Sequence, residues 1–354
     1  MDGPDKASAS RQPHRRMGLP LVLCVGALGV PSPSVMAQGS IVYWGNVQPS
    51  LEPPPGTYIA VSIGEAHCLA LRPDGTMVGW GSNIFGESAP QPGTFVSIAA
   101  GQLHSVALRS DGVAVSWGWN DAGQGTTPAG TFVKVAAGYG TSAGIRTDGT
   151  LHVWGLFGPP AVGYEVPTGT FTDIAVGVGF LVAIRTDGTL VSWGQWTQVP
   201  SGTFTQVHAG GGHAQALSTS GSIALFGKSA WLFEPVPTGQ FVALGRSWAG
   251  YPSAVRADRS IVCWGPNTVA HNVPPGRYLS VSMASEYGMA IPVCYSNCDC
   301  STGAPFNTAN DFMCFLNRFA SGDSYANCDG STGSPALTAN DFQCFLNKYA
   351  AGCS

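Results

Sequence analysis

The stretch GTFVSIAAGQLHSVALRSDGVAVSWG, residues 93–118, holds one complete structural unit. Phe95 to Ala100 ends in small residues and predicts a strand. Ser105 to Arg109 predicts a second strand, and Val113 to Trp117 a third. Asp111-Gly112 separates the last two. Asp-Gly between such runs predicts a type I′ hairpin, which needs positive φ at both central residues. Three strands this short cannot bury a face alone, so the unit must pack on others like it.

The others are present. An aromatic-Gly pair recurs at Trp44-Gly45, Trp80-Gly81, Trp117-Gly118, Trp154-Gly155, Trp193-Gly194, Phe226-Gly227 and Trp264-Gly265. The spacings are 36, 37, 37, 39, 33 and 38. The turn recurs as Asp74-Gly75, Asp148-Gly149, Asp187-Gly188 and Ser220-Gly221. Seven β units of about 37 residues suit a closed, mainly β, seven-bladed propeller over residues 38–293. An open β-solenoid is the competing architecture, but its repeats are shorter and lack a hairpin at a fixed place. The repeat phase predicts how the ring closes. The array begins with a lone Trp-Gly strand, Ile41–Trp44, and ends with two strands, Tyr278–Met283 and Gly288–Ile291. One blade shared between the two ends would remove an exposed edge.

Composition agrees. Charged residues are 10% of the chain, against roughly 25% in an ordinary soluble domain. Forty-eight Gly and 26 Pro exclude a mostly helical protein, and 44% hydrophobic content excludes a disordered one. The net charge of −4 argues against nucleic acid or an anionic membrane as partner.

Residues 1–37 read as a secretory signal peptide. Arg11, Arg15 and Arg16 form a basic start, Leu19 to Val30 an apolar run, and Val35-Met36-Ala37 a small-residue cleavage site. The run is shorter than the ~20 residues needed to span a bilayer. A retained anchor is the alternative, and Met17 is an alternative start. Export predicts a secreted or cell-surface protein with no membrane span after signal removal. Its cysteines then enter an oxidising space.

In the repeats, Gly64…His67, Gly101…His104 and Gly210…His213 each lead into a strand, a turn and an aromatic-Gly strand. This pattern, over about 39–293, resembles the regulator-of-chromosome-condensation repeat family, which implies a seven-bladed propeller. The repeats lack the long Gly-Gln-Leu-Gly stretch of the eukaryotic members, which argues against nucleotide exchange. They look more like the compact repeats of secreted bacterial propellers that inhibit β-lactamases.

After Val293 the chain changes character. Seven of ten cysteines fall in 294–354. Segments 297–320 and 327–350 are identical at 17 of 24 positions. Each pairs a polar loop with a helix pattern, Phe312, Phe315, Leu316 and Phe319 forming one apolar face. Thr308 with Asp311, and Thr338 with Asp341, are spaced as an N-cap and an N3 carboxylate. Oxygen donors alternate in the loops: Asn297, Asp299 and Ser301, then Asn327, Asp329 and Ser331. With Thr308, Asp311, Thr338 and Asp341 they are candidate ligands for Ca²⁺, a hard cation that takes six to eight oxygens. The tail resembles the Cys-containing dockerin-like domains of secreted planctomycete proteins. The resemblance implies Ca²⁺ binding and a cohesin-like or cell-surface anchor. The loops depart from the standard form, with Thr302 and Thr332 where Gly is normal, and two carboxylates in each loop predict weak affinity. A disulfide-held loop without metal is the alternative, and Zn²⁺ is disfavoured by the absence of paired C-x-x-C. Nine cysteines remain after the signal, an odd number. In the tail, Cys298 with Cys314 and Cys328 with Cys344 are expected to pair within each repeat or, alternatively, across the two. Cys294 and Cys353 would clasp the domain ends, and Cys300 is left over.

For the propeller, His67, His104 and His213 recur at one repeat position and read as structural. No catalytic motif appears. Phe85, Trp119, Phe157, Trp196, Trp231 and Phe233 follow the aromatic-Gly pairs, in loops that share one rim of a closed ring. They are the candidate contacts for an extracellular protein or glycan, whereas the Trp of each Trp-Gly pair is expected in the core. The function expected is non-catalytic binding. A polysaccharide-acting enzyme or its accessory subunit is the alternative.

Overall fold

The computed structural model describes residues 40–156, 165–230, 235–246, 251–266, 272–293, 309–320 and 338–351. The expected signal segment, residues 1–37, lies outside them. A first strand, β1 (Val42–Gly45), precedes a 3₁₀ turn at Pro49–Leu51. Blade 1 holds β2 (Ala60–Ile63), β3 (His67–Leu71) and β4 (Met77–Gly81). Blade 2 holds β5 (Phe95–Ala100), β6 (His104–Arg109) and β7 (Ala114–Gly118). Blade 3 holds β8 (Phe132–Ala137), β9 (Thr141–Arg146) and β10 (Leu151–Gly155). Blade 4 holds β11 (Phe171–Val176), β12 (Phe180–Arg185) and β13 (Leu190–Gly194). Blade 5 holds β14 (Phe204–Ala209), β15 (Ala214–Ser218) and β16 (Ile223–Phe226). Blade 6 holds β17 (Phe241–Leu244), β18 (Ser253–Arg256) and β19 (Ile261–Cys263). Blade 7 combines β20 (Tyr278–Met283) and β21 (Tyr287–Pro292) with β1.

Every blade is a three-stranded antiparallel sheet. The innermost strands touch in the cyclic order β2, β5, β8, β11, β14, β17, β20 and back to β2. The expected closure is present: β1 pairs with β21, Val42 opposite Ala290 and Trp44 opposite Gly288. Trp44 is buried, and its ring lies where a Cβ on Gly288 would stand. The core lies between blades. Leu69, Leu71 and Met77 of blade 1 pack on Phe95, Ile98 and Ala107 of blade 2, and the same pattern joins blades 3 and 4. Most Trp-Gly tryptophans are core residues, as expected, but Trp117 and the equivalent Phe226 are only half-buried.

The hairpin turns differ from the type I′ expectation. Gly75 N–H donates to Arg72 O at 2.9 Å and Arg72 N–H to Thr76 O at 2.8 Å, enclosing a three-residue loop, Pro73-Asp74-Gly75. Only the glycine has positive φ, 81°, as in a bulged three-residue hairpin. The aspartate serves as an acceptor instead: Asp74 Oδ1 takes Thr76 N–H at 2.9 Å and the Thr76 hydroxyl at 2.7 Å. These bonds hold its carboxyl below the usual carboxylate range, and the same holds for Asp148, Asp187 and Asp258. The left-handed residue aims its carbonyl at the next blade. Phe95 N–H donates to Gly75 O, Phe132 N–H to Gly112 O and Phe204 N–H to Gly188 O, at 2.7–2.9 Å. Blade 6 uses Arg259 at this place, at φ 73°, and its carbonyl accepts Tyr278 N–H at 2.8 Å. Asp258-Arg259 is thus a sixth turn that the Asp-Gly search does not detect.

In the tail, α1 (Ala309–Ala320) and α2 (Ala339–Ala351) pair through aromatic rings. Phe315 and Phe345 are fully buried and stacked, 3.9 Å between centroids and 7° between planes. Phe312 lies 6.2 Å from Phe342. The capping relation is present at α2: Thr338 N–H donates to Asp341 Oδ2 at 2.7 Å, and Asn340 N–H to Thr338 Oγ1 at 3.2 Å. Among the described residues no helix is long and apolar enough to cross a membrane.

Candidate interaction face and central channel

The loop after each aromatic-Gly pair and the loop holding G-x-x-H lie at the same end of a blade. Ser82 N–H donates to Ala66 O, Trp119 N–H to Leu103 O and Leu156 N–H to Gly140 O, all at 2.7–2.8 Å. In a closed ring these loops share one face.

Two of the loops are built on a buried polar side chain that the sequence reading missed. Glu87 and Gln124 are fully buried, each six residues after a Trp-Gly glycine. Glu87 accepts the Ser82 hydroxyl at 2.5 Å and Phe85 N–H at 2.7 Å. Burial pushes the Glu87 carboxyl up. Those hydrogen bonds and nearby His67 outweigh it and hold the group below its ordinary range. Gln124 accepts Ala122 N–H at 3.0 Å, and Asn120 accepts Gly125 N–H at 2.8 Å. The signal was legible as x-N-x-x-G-[E/Q], residues 82–87 and 119–124.

These supports present apolar groups. Ile84 is 83% exposed and Phe85 46%. Trp119, half-buried, reaches from blade 2 onto blade 3. A Cβ on Gly140 would stand 3.4 Å from its ring and 3.6 Å from Leu156 Cβ. Leu156 is itself exposed. Trp196 instead folds back on the cluster of Phe180, Leu190 and Phe204, and its carbonyl accepts the Ser192 hydroxyl at 2.6 Å. Phe157, Trp231 and Phe233 lie outside the described residues.

Beneath this face the repeated histidines tie blades together. His67 Nε2 meets Ser105 Oγ of blade 2 at 2.9 Å, and His104 Nε2 meets Ser142 Oγ of blade 3 at 3.0 Å. Each serine spends its proton on a carbonyl, Glu87 O at 2.8 Å or Gln124 O at 3.0 Å. The imidazole must therefore donate from Nε2. Its Nδ1 is buried without a partner, so a second proton would have no acceptor. Burial accordingly holds His67 down to about 4, despite Glu87. Burial, then His67, holds His104 down to about 3. Burial, then His208, does the same for His213. The G-x-x-H spacing has a steric cause: a Cβ on Gly64 would stand 2.5 Å from His67 Cε1, and one on Gly101 2.7 Å from His104 Cε1. These groups are structural, as expected.

Around the axis, the innermost strands leave a channel of about 360 Å³. Two residues past the aromatic that opens each innermost strand, four blades carry Ala60, Ser97, Ala243 and Ser280. Blades 3, 4 and 5 carry Lys134, Asp173 and Gln206 there. Lys134 Nζ lies 2.5 Å from Asp173 Oδ1. Asp173 Oδ2 accepts Val207 N–H at 3.1 Å. Gln206 accepts Leu244 N–H at 2.9 Å and donates to Val242 O at 3.2 Å. Each reaches the next blade.

Of the candidate calcium ligands, Thr338 and Asp341 are placed. Asp341 is buried, and its Oδ2 is occupied by the cap. Asn297, Asp299, Ser301, Thr308, Asn327, Asp329 and Ser331 lie outside the described residues, as does the Asp311 side chain. Of the tail cysteines Cys344 is disulfide-bonded, and which cysteine it pairs with lies outside the described residues. Cys68 and Cys263 of the propeller are unpaired thiols, which burial pushes up to about 12.

A family model, the regulator of chromosome condensation (RCC1) repeat, matches residues 58–87, 95–124 and 132–157. No curated protein matches the chain. Among solved structures, Prp20p of Saccharomyces cerevisiae, described with its binding to Gsp1p and histones, is similar with a TM-score of 0.61 and 16% identity. The match covers 73% of this chain and 92% of that one. The ectodomain of the Arabidopsis thaliana receptor kinase ACR4 is similar with a TM-score of 0.56 and 18% identity, covering 66% and 90%. Human WBSCR16 is similar with a TM-score of 0.57 and 16% identity, covering 72% and 99%. Three blades of this chain thus match the RCC1 repeat, and the seven sheets have the fold of RCC1-type propellers.

Proposed function

We propose that the protein is an exported, non-catalytic interaction module. Its propeller recognises an extracellular protein or glycan with the loop face of blades 1–3. Its dockerin-like tail holds calcium and anchors it to a surface or complex. The observation that carries the reading is the succession Ile84-Phe85, Trp119 and Leu156 on one face, held out by buried Glu87 and Gln124. Rigid supports under exposed apolar groups are what a preorganised contact surface requires. The protein-binding description of Prp20p, with the same fold, supports a protein as the partner.

The test is capture from the producing cell's envelope and medium by the immobilised full chain. Phe85→Ala with Trp119→Ala should weaken the recovered partner's binding by at least about 30-fold, the effect of losing a hot spot, with the melting temperature held. Unchanged affinity would move the site off this face. Calorimetry of the full chain with millimolar Ca²⁺ or a chelator tests the tail. A calcium-dependent shift in its melting supports the metal. Identical traces, with no bound calcium by elemental analysis, remove it.

A further inference from the structure

The seven-fold wall of the channel makes an odd residue conspicuous. At the level of Arg246, the other blades carry Ile63, Ala100, Ala137, Val176, Ala209 and Met283. One cation therefore replaces an aliphatic group in a single blade. Its backbone is tied in, with Arg246 N–H donating to Val281 O at 3.0 Å and Met283 N–H to Arg246 O at 2.7 Å. The side chain leaves blade 6 and crosses the lumen to blade 2, where Nη1 donates to Ile98 O at 3.4 Å. A guanidinium has five donors, and this one spends a single long bond. Asp173 is the one carboxylate among the channel-lining residues, and it is taken by Lys134 and by Val207 N–H. Among the described residues Arg246 therefore has no counter-ion in the channel, although the chain as a whole is acidic. Arg246 is itself exposed to the solvent of the channel, and a cation in a concave passage still draws anions more strongly than one on a flat surface.

We infer that the central channel binds a small oxyanion, a carboxylate or phosphate group lying on the Arg246 guanidinium, with the rest of the molecule against the alanine wall. The planar fork of arginine matches both groups in a two-point contact. A volume of about 360 Å³ sits at the small end of ligand cavities, which admits a metabolite-sized anion and excludes a polymer. Lys134 supplies the second cation, part-shielded by Asp173.

The test titrates the full chain at low ionic strength with citrate in one arm and inorganic phosphate in the other, by calorimetry. Saturable one-site binding is expected in at least one arm, and the arms distinguish the two oxyanion classes. Arg246→Gln should weaken it by about tenfold or more, the loss of a charge-assisted two-point contact, while Lys228→Gln on the exposed loop leaves it unchanged. Arg246→Lys keeps the charge and loses the fork, so intermediate weakening is expected. It also serves as the probe if the Gln variant does not fold. No saturable binding in either arm, or equal affinity in the wild type and the Arg246 variants, would overturn the assignment.

Discussion

Between blades 1 and 3 the joint is a neutral imidazole against a serine. Between blades 3 and 6 it is a long polar side chain on the channel wall. His67 and His104 lie deep, with one proton each and no place for another. Lys134, Asp173 and Gln206 lie beside the lumen and tie blades through charge and amide groups. One geometric problem, holding a short blade against its neighbour, thus has two chemical solutions in one ring. The family match falls on the imidazole side: its three segments are blades 1, 2 and 3. The two regions should fail under different conditions, and the following experiments separate them.

The largest effect is expected where neither joint operates. Blade 7 is closed by β1, and deleting residues 38–47 removes Trp44 and uncovers β21. Loss of a buried Trp alone costs about 3–5 kcal/mol. Thermal melting should show a large drop in transition temperature. An unchanged melt would break the shared-blade closure.

Next comes the imidazole joint. His104→Ala should cost about 2–3 kcal/mol through the cavity and the lost bond to Ser142, read by denaturant unfolding. The joint also sets a pH dependence. The folded imidazoles titrate at about 4 for His67 and about 3 for His104 and His213, while unfolded histidine titrates near 6.5. The unfolded state thus holds more protons between those values. Stability contributed by burial is present above about pH 6.5 and is lost as pH falls towards the folded values, at about 1.4 kcal/mol per unit for each imidazole. Hydrogen exchange at about pH 5 should show blades 1–3 loosening more than blade 4, which has Phe180 in place of the histidine. Equal loosening would show that the imidazoles do not govern the joint.

The channel joint should matter less and respond to salt. Lys134 is one-third exposed, so its pair with Asp173 is partly solvated. Lys134→Met should cost about 1–2 kcal/mol, discounted for that screening. The cost should shrink in high salt, whereas the His104→Ala cost should not. A salt-independent Lys134 effect would mean that the lysine acts by packing.

The smallest effect tests the turn that lacks glycine. Arg259 holds a left-handed conformation that costs an L-residue about 1–2 kcal/mol, part of which glycine returns through unfolded-state entropy. Arg259→Gly should therefore stabilise the chain by about 0.5–1 kcal/mol in a melting assay. Destabilisation would show that the arginine side chain offsets its backbone.

Much of the molecule was legible because a repeat prints the same constraint several times. The aromatic-Gly pairs gave seven blades, and the phase of the first and last strands gave the closure. Both follow from period and pleat alone. The apolar face of α1 and the Thr338–Asp341 cap were read the same way, since both depend on residues within two helical turns. The turn type was misread because Asp-Gly suits two hairpins. What separates them is where the pairing hydrogen bonds fall, a property of both strands. Glu87 and Gln124 were hidden among variable loop residues, although their spacing repeats.

The sequence by itself determined the number of units, the strands within each, the ring closure and the structural place of the histidines. These depend on local pattern and on a period that must close on itself. Only the tertiary structure decided which side chains meet across blades. The serine that receives His67 is 38 residues away, and the carbonyl that Arg246 reaches is 148 residues away. The position that holds Lys134, Asp173 and Gln206 shows no repeating residue, so nothing in the period marks it. Its meaning comes from the ring, which places three unlike side chains around one axis and, among the described residues, leaves Arg246 of the same channel without a counter-ion.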